Sequence, residues 1–95
     1  MTQQDSYAQA RICFYEARFQ DETILQLVAN FNTLSASRGW TAERSYYTTA
    51  LVEELQRRGV NLSAICEYTP NDSIKSVRHG FVRYDEEVHS LSLIQ

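Results

Sequence analysis

The side chains with the most reactive chemistry in this chain are two thiols and two imidazoles, Cys13, Cys66, His79 and His89. A thiol beside an imidazole could act as a nucleophile, and His and Cys drawn together could ligate a metal. Their spacing favours neither. The cysteines stand far apart, with none of the close pairs that mark a metal knuckle or a redox motif, and read as two buried structural thiols. Asp85-Glu86-Glu87 reads as a tight turn that sets Tyr84 opposite Val88, Arg83 opposite His89 and His79 opposite Leu93. That register keeps the imidazoles from sharing a metal or a proton relay. There is no HExxH, P-loop, GxGxxG or GxSxG, and with 3 glycines a phosphate-cradling loop is hard to build. The expectation is a protein that is not an enzyme, with no catalytic residue, metal or cofactor.

A second chemistry is written in Val77-Arg78-His79-Gly80-Phe81-Val82-Arg83-Tyr84. On a strand, His79, Phe81 and Arg83 would project from one face, where rings stack on bases and a guanidinium meets phosphate. In its last five positions the segment resembles the ribonucleoprotein octapeptide of RNA-recognition domains, with His79 offering a ring where that motif has an aromatic. Val77 and Arg78 stand where the motif has a basic residue and its first glycine. The resemblance implies a platform for single-stranded nucleic acid. Lys75, Arg78, His79 and Arg83 also make this the one locally basic strand of an acidic chain. Pairing with Glu67 or with Glu86 and Glu87 would neutralise it; left bare, it would be a stripe for an acidic partner, nucleic acid or protein.

Two further features suggest protein contacts. Trp40, Arg44 and Tyr46 gather at the turn before a helix, and these residue types dominate interface anchors. The chain ends on Val88-His89-Ser90-Leu91-Ser92-Leu93-Ile94-Gln95, which lacks the lysines, prolines or bulges that discourage edge pairing. Such a strand is covered by its own chain or pairs with a twin to form a homodimer.

Composition narrows the classes. Nine Lys and Arg against 12 Asp and Glu give a formal charge of −3 and a pI near 5.3. That balance argues against a generic grip on duplex nucleic acid or anionic lipid. No apolar run is long enough to span a bilayer, and Met1-Thr2-Gln3-Gln4-Asp5-Ser6 lacks the basic and apolar regions of a signal peptide, so a cytoplasmic protein without membrane attachment is expected.

The elements that must position these residues follow from periodicity. Residues 1–8 are polar and read as a flexible N-terminus, and residues 9–95 as a single domain. Ala10 to Phe19 reads as a strand, with Cys13, Tyr15, Ala17 and Phe19 on one face. Asp21 can cap a helix carrying Ile24, Leu27, Val28, Phe31 and Leu34. Thr41 caps a second helix running to about Arg58, supported by Glu53/Arg57 and Glu54/Arg58 pairs. Gly59 supplies a left-handed stop, with Val60 placed for a Schellman contact. Three strands follow, Leu62–Thr69, Ile74–Tyr84 and Val88–Gln95. The expected fold is an α+β two-layer sandwich of order β-α-α-β-β-β, two helices on one face of a mostly antiparallel four-stranded sheet. The expected function is a small cytosolic binding protein, an adaptor, regulator or inhibitor acting through a protein partner, with single-stranded nucleic-acid binding as the alternative.

Overall fold

A computed structural model of the chain describes residues 3–37, 39, 41–71 and 73–94, and no side chain before residue 6. Its elements are α1 (Gln3–Phe19), α2 (Ile24–Ala36), α3 (Ala42–Arg57), β1 (Cys66–Tyr68), β2 (Ile74–Val77), β3 (Val82–Asp85) and β4 (Ser90–Leu93). The fold is α+β, but residues 10–19 form part of a helix and not the expected strand. The segment satisfies both periods: its alternate residues fit a strand, while Tyr7, Arg11, Tyr15 and Phe19 form an i, i+4 row. Helix formers such as Ala8, Ala10, Arg11, Glu16, Ala17 and Arg18 favour the second. The partner surface completes the choice. Arg11 Nε donates to both carboxylate oxygens of Glu43 at 3.0 Å, and Tyr15 Oη donates to Glu43 Oε2 at 3.1 Å. Tyr15 and Phe19 meet the Tyr47 ring edge-on, with centroids 5.0 and 5.1 Å apart. One α1 row thus lies along α3, and Phe19 at its end is fully buried, a contribution of about 2–3 kcal/mol. The other face is open, so Cys13 is exposed rather than buried.

The cap of helix α2 lies two residues beyond the expected one. Thr23, not Asp21, is the N-cap: its hydroxyl accepts from Gln26 N–H while the Gln26 side chain accepts from Thr23 N–H, a reciprocal capping box. Leu27, Val28 and Phe31 are buried as the stripe predicts. Thr41 caps α3 by accepting from Arg44 N–H at 3.1 Å. At the far end Gly59 takes φ +82°, and Gly59 and Val60 donate to Gln56 and Leu55 carbonyls. This is the expected Schellman pattern, with Val60 buried. Of the two expected ion pairs, Glu54–Arg58 forms at 2.8 Å. Arg57 turns instead to Glu54 at 2.9 Å and approaches Glu16 on α1 at 3.8 Å.

The four strands do not join in one sheet. β1 pairs with β2 and β3 with β4, both antiparallel, as separate two-stranded sheets. The expected Ile74–Tyr84 strand breaks over residues 78–81 because α2 takes over its backbone hydrogen bonds. Ser35 Oγ both accepts from Gly80 N–H and donates to Gly80 O, each at 3.1 Å. Asn32 Oδ1 accepts from Val82 N–H at 2.8 Å, and its Nδ2 donates to Val82 O at 2.9 Å. Two polar side chains one turn apart thereby act as a substitute neighbouring strand.

The β3–β4 register also differs from expectation: Arg83 faces Ser92, and Tyr84 faces Leu91. The loop holds four residues rather than three, because His89 takes φ +52° and still belongs to it. Histidine is among the residues that tolerate this conformation, and the His89 ring is fastened at both nitrogens. Nε2 donates to Arg58 O at 2.9 Å, which leaves Nδ1 to accept from the Tyr84 hydroxyl. The outer edge of β4 is partly covered by its own chain, since Asn61 N–H donates to His89 O and Leu91 N–H to Asn61 O.

Candidate binding groove

Helix α3 and strand β2 face each other across a cleft of about 360 Å³. Ser45, Thr48, Thr49, Val52 and Glu53 form the helix wall, and Ile74, Lys75, Ser76, Val77 and His79 the other. The i, i+3, i+4, i+7, i+8 spacing of the first set is one helix face, and its small side chains leave the cleft open. A second depression of about 420 Å³ shares Glu53 and Ile74 with the first and continues it past Gln56, Arg57 and Ser73. The two form one groove that ascends α3 while descending β2.

At one end His79 is half-buried. Its ring stacks parallel on Phe31, 5.6 Å between centroids, and Nε2 lies 3.0 Å from the hydroxyl of buried Thr48. Burial lowers the pKa of the imidazole from its ordinary value, and the nearby Arg44 charge pushes it the same way. A neutral ring is therefore favoured at neutral pH. Farther along, burial raises the pKa of the Glu53 carboxyl, and a hydrogen bond donated by that carboxyl to the Glu16 side chain, together with the Glu16 charge, adds to the effect. Among the described residues no ion pair joins Lys75, Arg78 or Arg83 to an acid. Glu67 lies opposite Ser76 and Arg83 opposite Ser92, so the register brings neither base to a cross-strand carboxylate.

The residues singled out by sequence are dispersed. Lys75 and His79 line the groove, and Arg78 is exposed just beyond β2, its N–H donating to Ile65 O at 2.6 Å. Phe81 and Arg83 are exposed together, but His79 turns inward, so the three do not form the continuous stacking face expected of one strand. Arg44 donates to Ser37 O and Gly39 O at 3.0 and 2.7 Å, tying down the turn between α2 and α3. Tyr46 is half-buried and meets the exposed ring of Tyr7 edge-on at 6.2 Å. Trp40 lies outside the described residues. Sequence reasoning missed Ser45, Thr48 and Thr49; their only signal was small hydroxyl residues at i, i+3, i+4 spacing on α3, with Thr48 beside the Leu51–Leu55 stripe and Ser45 and Thr49 at its flank.

The remaining reactive groups do not converge. Burial pushes the Cys66 thiol up to about 11, and His79 and His89 serve separate partners. Among the described residues there is no group of three or more His, Cys, Asp or Glu side chains placed to hold a metal ion. Nor is any described helix long and apolar enough to cross a membrane. The chain matches no protein-family model, and no curated protein or solved structure shows significant similarity to it.

Proposed function

We propose that this chain is a small non-catalytic protein-binding module of the cytoplasm, an adaptor, regulator or inhibitor, with the α3–β2 groove as its principal contact surface. The observation that carries the reading is the groove itself: an open channel between a helix face of small side chains and a strand that, among the described residues, is hydrogen-bonded to β1 alone. The non-catalytic part is supported by the commitments of the groups best suited to chemistry, His79 to Thr48 and Glu53 to Glu16. The Arg44–Tyr46 flank lies on the same helix, one turn or less from Ser45. Self-association through Val88–Gln95 has the outer edge of β4 beyond Asn61 available to it, and would double the 11.0 kDa mass seen by light scattering.

The test is panning of a random linear-peptide library on the immobilised protein. Enriched sequences should bind the native chain and lose binding when Thr49→Phe plugs the groove, with the fold checked by circular dichroism. Panning without enrichment overturns the reading. The exposed pair Phe81 and Arg83 favours a second reading, a single-stranded nucleic-acid binder. It predicts saturable, salt-sensitive binding of random-sequence RNA or DNA oligonucleotides that Phe81→Ala abolishes; a flat titration removes it.

A further inference from the structure

All four residues of β2 line the groove, although successive side chains on a strand point to opposite faces. A strand whose edge, rather than one face, borders a space is lined in this way. The ladder agrees. Arg78 N–H donates to Ile65 O, so in the alternating antiparallel pattern Ser76 and Glu67 also exchange bonds, and the N–H and C=O of the intervening Val77 point away from β1. Their direction is into the groove that Val77 lines. The five positions from Ser73 to Val77 that line the groove set its length at roughly 17 Å, about five extended residues.

The charges bordering this channel select among strands. Lys75 is exposed and, among the described residues, has no acidic partner, and Arg78 lies exposed just beyond the same strand. Glu53, the carboxylate within the channel, is held toward its neutral form by burial and by Glu16. By formal charge the lining sets Lys75 and Arg57 against Glu53, so the channel is net positive. Resting on the protein-binding reading, we propose that the groove takes an extended acidic segment of a partner protein, which adds to the edge of β2 as a third strand while its carboxylates meet Lys75 and Arg78.

The experiment uses fluorescein-labelled eight-residue peptides of alternating Val and Thr carrying three Asp, the same peptide with three Lys, and the Asp peptide N-methylated at alternate amides. Anisotropy should show saturable binding of the Asp peptide, weakened about tenfold or more for the Lys version and for Lys75→Glu. N-methylation should abolish it, because strand addition needs the peptide N–H groups while charge attraction does not. Hydrogen exchange at the Val77 amide should slow in the complex. Equal binding of the N-methylated peptide, equal binding of Asp and Lys peptides, or an unchanged Val77 amide overturns the proposal. So does the absence of Asp-peptide binding, and if library panning still enriches other sequences, the broader protein-binding reading stands without it.

Discussion

The side-chain amide of Asn32 is bonded to the peptide group of Val82 in both directions, accepting from its N–H at 2.8 Å and donating to its C=O at 2.9 Å. One turn later Ser35 does the same for Gly80. These four bonds seat the 78–82 segment on α2, separate the two hairpins, and turn His79 inward onto Phe31 and Thr48 at the mouth of the groove.

Replacing Asn32 should therefore cost more than a half-buried polar residue usually does. Asn32→Ala leaves a backbone donor and acceptor at Val82 without partners, and about 2 kcal/mol should be lost in urea unfolding. Ser35→Ala, facing the more accessible Gly80, should cost about 1 kcal/mol. Equal effects of the two, near zero, would show that the clamp does not hold the segment.

Two carboxylates on α3 make predictions of different size from similar ion pairs. Glu54 is buried and receives both Arg57 and Arg58, the latter also donating to Phe19 O at 2.9 Å. Glu54→Gln weakens that junction between α1 and α3 and should destabilise the fold by about 2 kcal/mol. Glu43 pairs with Arg11 where both side chains are a third or more exposed, so Glu43→Gln should cost well under about 1 kcal/mol. Chemical denaturation of the two variants side by side decides it.

The thiols should separate cleanly in reactivity. At about 11, the Cys66 thiol is roughly one part in a thousand ionised at about pH 8, some hundredfold less than an ordinary thiol, before access is considered. Cys13 is exposed on α1. Mass spectrometry after brief alkylation should find Cys13 modified and Cys66 intact; rapid modification of Cys66 would mean that the Ile65–Cys66 region opens readily.

Acid should weaken the fold in part through His79. Its pKa is lowered in the folded chain, by burial first and Arg44 second, from an ordinary 6.5. Its stabilising contribution is complete above 6.5 and is lost as pH falls through the lower folded value, because the unfolded chain takes up the proton first. Glu53 acts in the opposite sense, since a raised carboxyl favours the folded state as it protonates. Comparison with His79→Gln isolates the imidazole: the melting temperature of the variant should fall less between about pH 7 and 5 than that of the native chain. Parallel declines would show that His79 does not contribute.

Local signals in the chain carried α2 and α3, because each is defined by an apolar stripe and by end residues acting over one turn: Thr41 as cap, Gly59 at φ +82° and Val60 closing the Schellman bonds. They also located both hairpins, through turn-rich gaps. What they could not decide was the state of residues 10–19, where strand and helix periods overlap and only Glu43 and Tyr47 on α3 break the tie. Nor could they reveal the break at 78–81, which depends on Asn32 and Ser35, some fifty and forty-five positions away in sequence. The β3–β4 register hinged on His89, whose ring is anchored to Arg58 O at the end of α3. The groove has the same origin. Small hydroxyls on a helix and an edge strand say nothing separately, and they become a binding surface only because packing of α3 against the core sets one opposite the other.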